Sequence, residues 1–556
     1  MVSSVSGNKI AYFSMEIGVR NDIPTYSGGL GVLAGDVIRS SADLSVPMVA
    51  VTLVSRKGYL RQKLTEWGDQ LEYPDQWDPS AVLELAPKTV EVTIEKSPVK
   101  IQAWLYEHKS TIGGTVPIIF LDTDVQGNFP QDRQITDSLY GGDDRNRLKQ
   151  ELVLGVGGTR MLDALGYKLS KYHMNEGHSA LLTLELLQRF DMDIERVKKR
   201  CVFTTHTPVE AAFDRFPYDL VEQVLSREFP VAVIKELGGE DKLNMTLLAL
   251  NLSGYQNGVT KAHTKYSMKI FPHYSIHAIT NGVHSFTWTS QAFHQLFDKY
   301  IPGWASEPEM LVRIEKAPLC EIWDAHMENK KNLSAFVEEK TGEKLDENIL
   351  TVGFARRATG YKRAKLIFSD LNRLRDINKT RPIQFVFAGK AHLRDTNGKD
   401  LIKEIFWYKN ELKDALKVVY LENYNMQIAA KLTAGVDVWL NTPLPPMEAS
   451  GTSGMKAAHN GVVNFSVLDG WWIEGCIEGV TGWGIGPSPE AQATEEERRK
   501  QELDDLFNKL KYVIAPKFYD DRDGWAQLMR NSIGKVAYYF NTDRMMRRYI
   551  TDAYLN

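Results

Sequence analysis

Cysteine is scarce in this chain. Its 556 residues include three, Cys201, Cys320 and Cys476, far apart and with no CxxC pair. That excludes a disulfide framework and a thiolate zinc site, and it suits a reducing compartment. Excess positive charge is missing too. Sixty-seven Lys and Arg face 71 Asp and Glu, a net charge of −4, so the basic footprint of a nucleic-acid binder is absent. No run reaches the roughly 18 apolar residues of a membrane span. The start, Met1 to Lys9, lacks the apolar core of a signal peptide. There is no internal repeat, no low-complexity tract, no GxSxG elbow and no HExxH pair. The expectation is a cytoplasmic protein with neither nucleic acid nor membrane as partner, and with no metal.

What is present is the composition of a globular protein, 43% hydrophobic and 25% charged residues. The length implies two to four domains. Short β-rich apolar runs alternate with helical patterns, which predicts α/β layering with parallel sheets. Candidate strands cover residues 49–54, 117–121, 200–204, 349–354, 383–388, 418–421 and 436–440. Strand-to-helix turns near residues 28 and 357 suggest two nucleotide-fold-like halves, with a boundary near 285–310. Residues 484–494 read as a surface loop, and 495–511 as a charged, solvated helix.

The most informative stretch is Glu448-Ala449-Ser450-Gly451-Thr452-Ser453-Gly454-Met455-Lys456. It follows a strand and a Pro-rich turn and precedes a helix signal at Lys456-Ala457-Ala458. Small residues there expose backbone N–H groups at the positive end of a helix, which binds an anion without a side-chain charge. A lysine amine beside such a cradle suits a phosphorylated aldehyde cofactor. An ordinary loop looks the same by spacing alone.

Two more turns carry chemistry. Tyr26-Ser27-Gly28-Gly29-Leu30-Gly31 follows a strand-like run and precedes a helical pattern; its glycines let a backbone approach an anion, or simply pack a helix. Gly353 to Arg363 holds Arg356, Arg357, Lys362 and Arg363 with no acid among them, at the predicted start of a helix through Leu366, Ile367 and Leu371. Cations there oppose the helix dipole unless an anion such as phosphate neutralises both; a solvated basic turn is the plain alternative. His206 sits at a strand end, a place where histidines are commonly structural. Asp122-Thr123-Asp124 reads as a turn ending a strand rather than a transferase DxD. The run His173 to His178 lacks metal-ligand spacing.

The string Glu448 to Lys456, with Asn423-Tyr424, the strand Val436 to Asn441, and Leu468-Asp469-Gly470-Trp471-Trp472, resembles the α-glucan (glycogen, starch, maltodextrin) phosphorylases of the short bacterial and archaeal type. The likeness runs from Ala11-Tyr12-Phe13-Ser14-Met15-Glu16 to the closing helix. It implies a GT-B fold: an N-terminal Rossmann-like domain over 1–290 with glucan and gate elements, a C-terminal one over 291–530 for cofactor and phosphate, and a segment 531–556 crossing back. It implies pyridoxal phosphate on Lys456, with Gly451, Thr452, Ser453, Arg356, Gly28, Gly29 and Trp288 around it. Arg357 and Lys362 would bind substrate phosphate, and Gly31 would complete the glycine loop. Glu448, Ser450, Gly451, Asn281, His206 and Gly29 would meet the sugar, and Asn175 to His178 would be a gate element.

The implied reaction is reversible phosphorolysis of a terminal α-1,4-glucosidic bond to α-glucose 1-phosphate with retention, the cofactor's phosphate serving as acid/base relay. No paired glycosidase carboxylates are needed. The resemblance further implies a homo-oligomer. The chain starts directly at the catalytic region, so no regulation by phosphorylation or nucleotides is expected. The rival is a GT-B transferase using a nucleotide sugar, for which Lys456 and the basic turn would have no purpose. A non-catalytic glucan-binding protein is a second.

Overall fold

In the computed structural model, residues 8–225 and 227–555 are described. They form two units, one of residues 8–60, 74–280 and 545–555, the other of residues 61–73 and 281–544.

The first unit is built on a ten-stranded sheet. Its strands are β1 (Lys9–Ser14), β2 (Met48–Leu53), β3 (Glu84–Leu85), β4 (Val90–Ile94), β5 (Ser97–Lys109), β6 (Thr115–Asp122), β7 (Leu169–Asn175), β8 (Cys201–Thr204), β9 (Tyr255–Gly258) and β10 (His277–Ala278). They lie in the order β10-β9-β8-β7-β1-β2-β6-β5-β3, with β4 paired to β5. From β10 to β6 every pairing is parallel, and β5 and then β3 are added antiparallel at that edge. Strand β2 is buried along all six residues, as a parallel strand covered on both faces must be. Alternation divides β1 between two cores: Ala11 and Phe13 join one, with Met15 just beyond the strand, and Ile10 and Tyr12 join the other. The second core also takes in the helix Gly29–Asp43 and the C-terminal Met545, Met546, Tyr549 and Tyr554.

The second unit holds six parallel strands: β11 (Leu350–Ala355), β12 (Ile383–Ala388), β13 (Val418–Leu421), β14 (Val438–Asn441), β15 (Val463–Val467) and β16 (Gly482–Ile485). Their order is β13-β12-β11-β14-β15-β16, the 3-2-1-4-5-6 order of a doubly wound sheet. The helices Leu319–Thr341 and Met426–Gly435 pack on it through Leu333, Val337, Ile428 and Leu432. A hairpin, Arg61–Leu64 with Gln70–Tyr73, joins this unit although it lies far away in sequence. Gln62 Nε2 donates to the Gly389 carbonyl, and Gln70 Nε2 to that of Ala391, both at 2.9 Å.

The α/β layering with parallel sheets is as expected. Each expected strand lies within two residues of an observed one. One element differs. No α-helix starts at the basic turn: residues Gly360–Lys362 and Leu366–Phe368 are single 3₁₀ turns, and the helix begins at Leu371, capped by Asp370 on the Arg373 N–H. Arg363 takes a left-handed conformation, φ 49°, which breaks the helical path.

Candidate functional site

Doubly wound sheets place ligands at the carboxyl ends of strands where the order reverses. In the second unit that point lies between β11 and β14. The basic turn leaves β11 and the Glu448–Lys456 segment follows β14, so the two motifs meet. Glu448 Oε2 accepts from Arg356 Nη2 at 2.5 Å and from the Lys362 ammonium. Their adjacent charges overcome the cost of burial and hold the Glu448 carboxyl at about 2. The cations are therefore not without an acid, as the local sequence suggested; the acid comes from 92 residues away. Arg356 Nη1 and Thr359 Oγ1 are buried with no hydrogen-bond partner. A buried guanidinium N–H left over beside an ion pair is a donor available to an oxyanion. Arg357, in contrast, is exposed.

The Glu448 loop is fixed from below. Its N–H donates to Asp469 Oδ2 and the Gly470 N–H to Asp469 Oδ1, each at 2.9 Å, while the Trp471 N–H donates to the Ser450 carbonyl. Gly470 has φ +55°, and a Cβ there would lie 2.3 Å from that carbonyl oxygen. Ser450 Oγ turns inward to the Gly451 carbonyl, and Gly451 itself needs φ +74°. Burial, against the hydrogen bonds from the Glu448 and Gly470 N–H groups, pushes the Asp469 carboxyl up to about 7, and the Glu448 charge adds to it.

Lys456 lies in the short helix Ser453–Ala458, its ammonium 3.8 Å from the ring centroid of Trp288. Both residues are buried, Lys456 at 6% exposure. The Asn460 side chain donates to the carbonyls of Trp288 and Lys456 at 2.8 and 3.1 Å, tying the two segments together. Ser453 Oγ accepts from the Trp439 indole. Thr452 does not cap the helix with its side chain. Gly454 leaves no room for a Cβ, which would sit 2.3 Å from Asn464 Oδ1. A buried amine on an aromatic face, at the end of a run of small residues, fits a phosphorylated aldehyde. Asn281, in the same unit, offers a buried Oδ1 with no partner, and Arg544 holds its carbonyl.

The first unit has its own reversal point, between β1 and β7. After β1, the Glu16 carboxylate accepts from the N–H groups of Ser27 and Gly28 at 2.6 and 3.2 Å and from the Tyr140 hydroxyl. The glycine turn thus does not offer all its N–H groups: the Gly28 donor is already used. The helix starting at Gly29 has no acidic residue in its first turn. Gly31 lies so close that a Cβ would be 2.6 Å from the Glu16 carboxylate. Across the reversal point, after β7, Asn175 and Glu176 hold His206: the Asn175 Oδ1 is 2.7 Å from its Nε2, and the Glu176 carboxylate accepts its backbone N–H. Burial pushes the His206 imidazole down to about 3, aided by neighbouring histidines.

Sequence reasoning gave Glu16 and Asp469 no role in the site, and gave Asn175 and Glu176 a role only as part of a gate element. The available signal was positional. Asn175 ends a strand at a reversal point and Glu176 directly follows it, Glu16 lies two residues past the end of β1, and Asp469 precedes a glycine.

Residues 230–480 match the Phosphorylase family, described as carbohydrate phosphorylase. The maltodextrin phosphorylase of Thermococcus litoralis is 37% identical over 98% of this chain and 70% of its own length. The glycogen phosphorylase of Mycobacterium tuberculosis is 36% identical with the same coverage of both chains, and that of Aquifex aeolicus 33% identical over 98% of this chain and 86% of its own. Similarity at this level along nearly the whole chain places it in the carbohydrate phosphorylase family.

Proposed function

We propose that the chain catalyses the reversible phosphorolysis of terminal α-1,4-glucosidic bonds of an α-glucan, giving α-D-glucose 1-phosphate with retention and using pyridoxal phosphate held through Lys456. The accompanying fold is GT-B. The observation that carries the reading is the Arg356–Glu448–Lys362 cluster, in one unit with a buried Lys456 on the face of Trp288.

Arg357 and Lys362 would hold the substrate phosphate, and Arg356 would lie beside the cofactor phosphate. When phosphate occupies Arg356 and Lys362, the Glu448 lone pairs they now use become available to sugar hydroxyls. While Arg356 and Lys362 adjoin it, their charges outweigh burial and hold the Glu448 carboxyl at about 2, as an anionic acceptor. The N–H groups of Ser450 and Gly451 are the matching donors, and Asn281 Oδ1 and His206 complete the polar lining. Thr452, Gly451, Ser453, Gly28 and Gly29 would hold the cofactor. When bound, pyridoxal phosphate supplies a second phosphate able to exchange a proton with the substrate phosphate. Positive charge in a buried setting stabilises the charge that develops there.

The test is glucose 1-phosphate release from maltodextrin and inorganic phosphate by protein supplied with pyridoxal phosphate, with borohydride reduction and peptide mapping. A reduced pyridoxyl group on Lys456 and phosphate-dependent release are expected. Lys456→Ala should bind no cofactor and show no turnover. Consumption of ADP- or UDP-glucose by a cofactor-free protein would instead favour a nucleotide-sugar transferase.

A further inference from the structure

The hydrogen-bond chain behind His206 has only one consistent polarity. It begins at the Glu16 carbonyl, which can only accept, so the Ser14 hydroxyl donates to it at 2.8 Å. That hydroxyl has one hydrogen. Towards Asn175 it must therefore accept, and Asn175 Nδ2 donates to it at 3.1 Å. The amide orientation follows: Oδ1 faces His206 Nε2 at 2.7 Å and accepts, so Nε2 carries the ring proton. Ser14 and Asn175 are buried, at 0% and 2% exposure, so water does not compete for these bonds.

The main chain of the same loop is held as firmly. Glu176 has φ +76° and ψ 169°, a region otherwise left to glycine. This conformation turns its carboxylate back onto the loop. Oε2 accepts from the His206 N–H at 2.7 Å and from Thr207 Oγ1 at 2.9 Å; Oε1 accepts from the Gly177 N–H at 3.0 Å. His263 Nε2 meets the Thr207 carbonyl at 3.2 Å. Ring and backbone are thus fixed by two consecutive residues at the carboxyl end of β7.

We infer that Ser14, Asn175 and Glu176 are positioning residues that lock His206 as the Nε2–H tautomer, leaving Nδ1 as a hydrogen-bond acceptor for a hydroxyl of the substrate's glucosyl group. This rests on the glucan reading above. Burial keeps the imidazole uncharged, its value pushed down to about 3, so it serves as an acceptor and not as an acid. An Nδ1–H ring in the same place would present a donor to the same hydroxyl and demand the opposite orientation from it.

The test has a part that needs no turnover. Histidine is labelled with ¹⁵N, and the His206 signals are identified by their loss in His206→Gln. The wild type should show a protonated Nε2 and a bare Nδ1. Asn175→Ala should mix the tautomers, and Asn175→Asp, which still accepts from Nε2–H, should restore one. A protonated Nδ1 in the wild type, or an unchanged tautomer in Asn175→Ala, overturns the inference. The second part uses the synthetic direction with monodeoxy glucose 1-phosphates. One deoxy position should carry a penalty that disappears in His206→Ala and shrinks in Asn175→Ala, with kcat/KM on the parent sugar phosphate falling on the order of 10²-fold. If the wild type turns over and Asn175→Ala keeps the full deoxy penalty, the inference fails and the phosphorolysis reading stands. If the wild type releases no glucose 1-phosphate, that reading fails, and the tautomer lock is decided by the ¹⁵N signals alone.

Discussion

Glu448, the proposed sugar acceptor, also has a role in stability. It neutralises two buried cations, Arg356 and Lys362. Removing one member of such a cluster strands the others, at a cost of about 3–5 kcal/mol. Glu448→Ala should therefore melt lower than the wild type, and added inorganic phosphate should raise its Tm more than it raises that of the wild type. Calorimetry with and without phosphate checks this; an equal phosphate response in both proteins would separate Glu448 from the proposed phosphate site. Asp469 behaves in the opposite sense. Its carboxyl is raised from 3.8 to about 7, so between those values the folded protein holds a proton that the unfolded chain has released. Stability from this group is present at low pH and lost as pH rises through that window. The Tm difference between wild type and Asp469→Asn should accordingly drift against the wild type from about pH 4 to about pH 7.

At the scale of elements, the loops after the strands are shaped by backbone positions that tolerate little change. Gly470→Ala would press a Cβ to 2.3 Å from the Ser450 carbonyl, at φ +55°. A cost of about 1–3 kcal/mol is expected, and the Glu448–Gly451 loop would move. Activity should fall far more than helicity by circular dichroism. The C-terminal segment is a different kind of element. Tyr554 OH lies 2.7 Å from His173 Nδ1, and Tyr549 OH accepts from Asn257 Nδ2 at 3.0 Å. His173 Nε2 in turn meets Thr204 Oγ1. Tyr549→Phe removes one partner of a buried network, and about 1–3 kcal/mol should be lost with it. Hydrogen exchange should report the loss first along β8 and β9.

At the scale of the molecule, chain order and spatial order part company twice. Residues 61–73 leave the first unit to complete the second, and residues 545–555 return to the first. The returning segment brings Met545, Met546, Tyr549 and Tyr554 into the core that also holds Tyr12 and the helix Gly29–Asp43. Deleting residues 545–556 would expose that apolar surface, each large side chain being worth about 1.5–3 kcal/mol. Limited proteolysis of the deletion protein should cut first within residues 8–280 and leave the second unit longer-lived. Equal cleavage of both units would mean that the segment is dispensable to the first core.

Composition and patterning alone determined the α/β layering and most of the parallel strands. A strand buried on both faces must read as an unbroken apolar run, as Ile383 to Ala388 does. The small-residue segment ending in Lys456 and the cluster of Arg356 and Lys362 were legible for a similar reason, since their chemistry is local. Contacts between distant residues were not. Nothing near Arg356 in sequence announces Glu448, and nothing near Gly28 requires its N–H to be taken by Glu16. The helix expected through Leu366 and Leu371 failed because its apolar spacing is real, but Arg363 turns left-handed and binds the Thr442 and Pro443 carbonyls and Glu502. Which N–H groups remain for a ligand, which tautomer His206 adopts and which carboxyl keeps its proton were decided by tertiary structure alone, because each depends on the polarity of groups brought together only by folding.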